Sequence, residues 1–180
     1  MSSFQDSINY ILSYNSTILQ GIPPDKIQDV ITLLLGAHRV FVYGTGRSGL
    51  LGRAFAIRLV HLGIQTFVIG ETITAPVQKD DCVVLISGSG KTIPVVMTAE
   101  IAANLGAKII LITTHRGSPI AKFSTVVIPF KIKKNNPCLA PLGTLFEANT
   151  WIFLDGIIAE LMSKKGENES SMKQRHATLE

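Results

Sequence analysis

The chain has 180 residues and a mass of 19.5 kDa, room for one compact domain around one core and too little for a two-domain enzyme. Hydrophobic residues make up 46% and charged residues 17%, with a mean hydropathy of +0.33, which excludes a disordered chain. The net charge of +4 is scattered, partly over Lys131, Lys133 and Lys134 and partly over Lys164, Lys165, Lys173 and Arg175, and is too weak to indicate nucleic acid.

No apolar run reaches the roughly 18 residues that a membrane span requires. Met1 to Asp6 lacks the basic and apolar blocks of a secretory signal. The expectation is a soluble, cytoplasmic protein with no membrane partner. Cys82 and Cys138 lie far apart and outside any CxxC or Cys/His cluster, so neither a metal site nor a disulfide framework is indicated.

Taken in chain order, residues 4–20 place Ile8, Ile11, Leu12, Ile18 and Leu19 at near-helical spacing, and Pro23-Pro24-Asp25 opens a second helix that ends at Gly36. Short β-branched runs then follow, over Val40–Tyr43, Thr66–Ile69, Cys82–Ile86, Ile109–Thr113 and Val126–Phe130. Helical stretches separate them, clearest at Ser48–Leu62 and Thr92–Leu105, and a long one runs from Thr144 to Met162. Strands alternating with helices require crossovers, hence an α/β domain with a five-stranded parallel sheet. Residues 164–180 are polar and support a short helix or an extended tail. Ligands of such sheets bind at the carboxyl ends of the strands, in the loops that follow them.

Two of those loops are rich in glycine. The first strand ends in Gly44-Thr45-Gly46-Arg47-Ser48-Gly49, a G-x-G-x-x-G turn between strand and helix, and Glu71 ends the second strand where a ribose-binding acid would stand. This is a nicotinamide-dinucleotide pattern, or simply a tight turn. The third strand ends in Ser87-Gly88-Ser89-Gly90-Lys91-Thr92. Its Gly-Lys-Thr imitates a nucleotide triphosphatase loop, but Leu85 stands where that loop needs glycine, five positions before Gly90. What remains is a helix N-terminus, marked by Pro94, with hydroxyls and backbone N–H groups from Ser89 to Ile93 available to one phosphate monoester. Simple capping by Ser89 or Thr92 is the alternative. A single terminal phosphate shared by both turns disfavours a dinucleotide.

These two turns resemble the sugar isomerase (SIS) domain family, which binds phosphosugars. Arg58-Leu59-Val60-His61-Leu62-Gly63, Ile69-Gly70-Glu71-Thr72, Pro141-Leu142-Gly143-Thr144-Leu145-Phe146-Glu147 and Lys173-Gln174-Arg175-His176 narrow the resemblance to the 6-phospho-3-hexuloisomerase family over nearly the whole chain. The resemblance implies a single three-layer SIS domain over residues 1–180, with N-terminal helices at 4–36, a tail at 164–180 and a flavodoxin-like strand order. It further implies interconversion of a 3-hexulose 6-phosphate and fructose 6-phosphate with no metal or organic cofactor. A homotetramer and a functional link to 3-hexulose-6-phosphate synthase also follow from it.

Moving the carbonyl from C3 to C2 requires a base to take a proton beside the carbonyl, and a group to stabilise the enediolate. The resemblance makes Glu147 that base, although Thr144-x-x-Glu147 also reads as a capping box. It implies that His176 shuttles a proton or opens the sugar ring, reaching a neighbouring subunit, where a histidine so near the chain end otherwise reads as solvated. Arg47 is a cation at a helix N-terminus, a placement that the helix dipole disfavours unless an anion is near. Gly46, Ser48, Ser87, Gly88, Ser89, Gly90, Lys91 and Thr92 complete the expected substrate site, with Glu71 either on sugar hydroxyls or capping the next turn. His61, His38 and His115 read as a helix-end histidine and two loop residues without partners. A phosphosugar-sensing module, an isomerase of another sugar phosphate and a nicotinamide-dependent oxidoreductase stand as alternatives.

Overall fold

Apolar β-branched runs form the five strands β1 (Val40–Gly44), β2 (Thr66–Val68), β3 (Cys82–Ile86), β4 (Lys108–Thr113) and β5 (Val126–Pro129). The helices are α1 (Ser3–Gln20), α2 (Pro24–Gly36), α3 (Arg47–His61), α4 (Ile93–Asn104), α5 (Thr144–Lys164) and α6 (Glu169–Gln174), with a 3₁₀ turn at Ile120–Phe123. The computed structural model describes residues 3–133 and 135–179; Met1 and Lys134, named above for the chain head and the basic loop, lie outside the described residues. Among the described residues, no helix is long and apolar enough to cross a membrane.

All four strand pairings are parallel, and the order is β2-β1-β3-β4-β5, the flavodoxin-like arrangement. Each central strand sends alternate side chains to opposite faces. Val40, Val42, Val84, Ile86, Ile110 and Ile112 join a core with α1, α2, α3 and α5. Phe41, Val83, Leu85, Ile109 and Leu111 join a second core under α4 and the 3₁₀ turn. Burial on both faces is why these strands read as unbroken apolar runs, and it gives the three-layer α/β architecture. Phe55 and Leu59 pin α3 to the sheet, each contributing about 2 kcal/mol by burial.

The polar ending is a docked helix. Asn168 caps α6 in a reciprocal capping box with Ser171, and Met172 is buried beneath it. The Arg175 guanidinium donates to the His61 carbonyl (3.1 Å) and to Glu167 (2.9 Å), tying the helix to the end of α3. At the amino ends of the strands, buried Asp81 accepts two hydrogen bonds from Arg39, at 2.7 and 3.0 Å, and one from the Gln78 N–H.

Candidate active site

The strand order reverses at β1, which pairs with β2 on one side and β3 on the other. The turns after β1 and β3 therefore lead into helices on opposite faces, and a crevice opens between them at the carboxyl ends of the strands. The first turn is held close to its strand: a Cβ on Gly49 would lie 2.7 Å from the Gly44 carbonyl oxygen, so only glycine lets α3 start there. The tight-turn reading thus describes part of this motif. Gly46 caps α3 without a side-chain bond, and Arg47 begins the helix with its side chain 74% exposed.

In the second turn the hydroxyls converge. Ser87 and Thr92 share a hydrogen bond (3.2 Å), Ser89 lies 3.5 Å from Thr92, and the Gly90 N–H donates to Ser87 Oγ. No side chain caps α4, so the capping alternative for Ser89 and Thr92 is not realised. The Lys91 N–H is turned inward to Ser89 Oγ (3.3 Å), which removes one of the donors expected to face a ligand. Lys91 itself is exposed and Ser48 half-buried.

The third component comes from α5. Phe146 packs its ring against Gly88 of the second turn, and Glu147 accepts a hydrogen bond from Arg47 Nε of the first (2.6 Å). The capping box does not form: Gly143 is the helix cap, the Thr144 N–H and hydroxyl both bond to the Pro141 carbonyl, and the Glu147 carboxylate turns outward to Arg47. Three segments thus converge, and a carboxylate, a guanidinium and a hydroxyl-lined helix N-terminus lie together at the carboxyl ends of β1 and β3. Such a set can bind a phosphate, polarise a carbonyl and move a proton.

Glu71 stands at the rim of this crevice, where its carboxylate pairs with Arg53 of α3. Arg53 went unread in the sequence because only the packing of β2 beside α3 brings the two together. His176 stacks on His61, with ring centroids 4.9 Å apart, beside a cavity of about 460 Å³ lined by residues of α3, α5 and α6. His61 closes α3 while Arg47 opens it, so the 15 residues of that helix separate His176 from Glu147 by roughly 20 Å within one chain. His38 and His115, read as having no partners, both have them: His38 Nδ1 lies 3.9 Å from Asp81, and His115 Nδ1 lies 2.7 Å from Thr114 Oγ1. Among the described residues, no group of three His, Cys, Asp or Glu side chains comes together in a way that could hold a metal ion.

The SIS domain family model matches residues 33–146, and the chain belongs to that family. Within it, the chain is similar to 3-hexulose-6-phosphate isomerase of Methanocaldococcus jannaschii, 41% identical over 155 residues that cover 86% of this chain and 84% of the relative. A protein of the same name from Methylomonas aminofaciens is 39% identical over the full length of both chains. A crystal structure of a hypothetical protein from Methanococcus jannaschii, described as inferring a molecular function of 3-hexulose-6-phosphate isomerase, superposes with a TM-score of 0.87 at 39% identity, covering 94% of this chain and 97% of the other.

Proposed function

We propose that the protein interconverts a 3-hexulose 6-phosphate and fructose 6-phosphate by proton transfer through an enediolate. The observation that carries this reading is the Arg47–Glu147 pair at the mouth of the hydroxyl-lined turn, together with the phosphosugar isomerases the chain resembles over most of its length. The phosphate binds at the start of α4, on the hydroxyls of Ser87, Ser89 and Thr92 and the backbone N–H groups of Gly88 and Ser89, with Gly90 shaping the turn, where the helix dipole and unpaired donors favour an anion. With the phosphate fixed there, the sugar chain extends toward Glu147. Glu147 takes the proton from the carbon beside the carbonyl and returns one to the adjacent carbon. Arg47, exposed and movable, leaves Glu147 to meet the oxygen on which charge develops. Gly46, Ser48, Lys91 and Glu71 line the rim.

His176 lies too far from Glu147 to serve the same chain's site, so its role is to complete the site of a neighbouring protomer in a homotetramer. The supplier of the substrate is an aldol-type synthase joining formaldehyde to ribulose 5-phosphate. The test is a coupled assay: 3-hexulose 6-phosphate is made in situ by that synthase, and fructose 6-phosphate is followed through NADP reduction. Formation dependent on this protein is expected. No formation, with turnover of another phosphosugar such as arabinose 5-phosphate, would replace the substrate assigned above.

A further inference from the structure

The phosphate-binding turn is fixed from behind by the segment that follows β4, and the key contact is a single carbonyl. Gly88 O accepts from the Thr114 N–H (3.0 Å), from Thr114 Oγ1 (2.8 Å) and from Thr113 Oγ1 (3.2 Å). Two residues on, Gly90 O accepts from the Ile120 N–H (3.1 Å). Gly90 itself has φ of 64° and sits directly over the buried Ser118 side chain, which leaves no space for a Cβ. The carbonyls of residues 88 and 90 are thus both held by residues 113–120. A carbonyl oxygen and the N–H of the next residue point in opposite directions across a trans peptide plane. Holding Gly88 O therefore aims the Ser89 N–H away from β4 and toward the crevice, as in a backbone anion nest.

We infer that Thr114 is a positioning residue for the phosphate: its hydroxyl, held by His115, locks the Gly88–Ser89 peptide plane in the anion-binding orientation. His115 Nδ1 lies 2.7 Å from Thr114 Oγ1 and 3.4 Å from Gly88 O, so the imidazole braces both the hydroxyl and the carbonyl. This inference rests on the reading that the turn after β3 binds the substrate phosphate.

The test compares Thr114→Val, which keeps the shape and removes the hydroxyl, with Thr114→Ser, which restores it. Thr114→Val is expected to raise KM for the sugar phosphate and the inhibition constant of inorganic phosphate together, each about tenfold, with kcat within about twofold of wild type. Thr114→Ser should recover most of both. Ser89→Ala is run alongside as a direct probe of the turn. Unchanged phosphate affinity in Thr114→Val, with weakened affinity in Ser89→Ala, overturns the inference alone. Unchanged affinity in both overturns the phosphate-turn reading and the inference with it. A loss of kcat and thermal stability in Thr114→Val that Thr114→Ser does not restore also overturns it, since that would mark a general structural role.

Discussion

Arg39 and Asp81 form an ion pair at the end of the sheet away from the crevice, and Asp81 is buried while Arg39 also lies over the Phe41 ring. Burial by itself would raise the Asp81 carboxyl, but the hydrogen bonds from Arg39 and from the Gln78 N–H outweigh it, and the group is held below the usual carboxylate range. A carboxyl depressed on folding stabilises the native state fully above its unfolded pKa of about 4, and that contribution disappears as pH falls through the folded value. Asp81→Asn is therefore expected to lower Tm by at least about 4 °C near neutrality, with the gap to wild type closing below about pH 4. Melting curves from pH 7 to pH 2 check this; a gap that stays constant down to pH 2 would remove the ionic part of the contact. Arg47 and Glu147 form the contrasting pair, since Arg47 is largely exposed.

Among the elements, α6 has the fewest ties to the core: it has six residues, one buried side chain and the Arg175 contacts to His61 and Glu167. The Arg175 hydrogen bond, with help from Ser171, also holds the Glu167 carboxyl below its ordinary value. Met172→Ser is expected to speed hydrogen exchange of residues 169–174 at least about tenfold while moving the global Tm by only a few degrees. An equal rise in exchange across the sheet would show that α6 unfolds only with the whole domain. The strands β1, β3 and β4 were legible because burial on both faces keeps them largely apolar, and β5 because its half-buried edge run is still β-branched; the predicted limits agree with the observed ones to within a residue or so. The docking of α6 was not legible, because Met172 is one apolar residue in a polar stretch and its partner surface is built from α3 and α5. The two glycine turns were readable as loops after strands, and the resemblance singled out Glu147 as the proposed base. The pairing of Glu147 with Arg47, 100 positions away in sequence, depends on where α5 starts relative to β1 and has no local signal. Thr114 escaped for the same reason: a threonine pair ending a strand looks like ordinary β-propensity until its neighbour Gly88 is in place.

At the scale of the molecule, α4 exposes Ile93, Met97 and Ile101, and its cap Leu105, at successive four-residue intervals, and α1 exposes Phe4 and Leu12. Such faces on an otherwise well-packed domain suit contact with further copies of the chain. If His176 serves a neighbour's Glu147, two inactive variants should complement each other. Co-expressed Glu147→Gln and His176→Ala chains are expected to recover up to about a quarter of wild-type turnover in mixed oligomers, as random assembly pairs intact halves. Failure to recover any activity, with mixed oligomers present, would confine His176 to its own chain and to its stacking on His61.

In the proposed reaction, Glu147 moves a proton between C2 and C3 of a ketose phosphate bound through the turn after β3. The direct measurement is fructose 6-phosphate incubated with the enzyme in D2O and read by proton NMR. Loss of the C3 proton signal with wild-type protein, no exchange at C1, and a decrease of exchange by at least about a hundredfold in a folded Glu147→Gln variant are expected. Exchange at C1 instead of C3, or C3 exchange undiminished in Glu147→Gln, would contradict it.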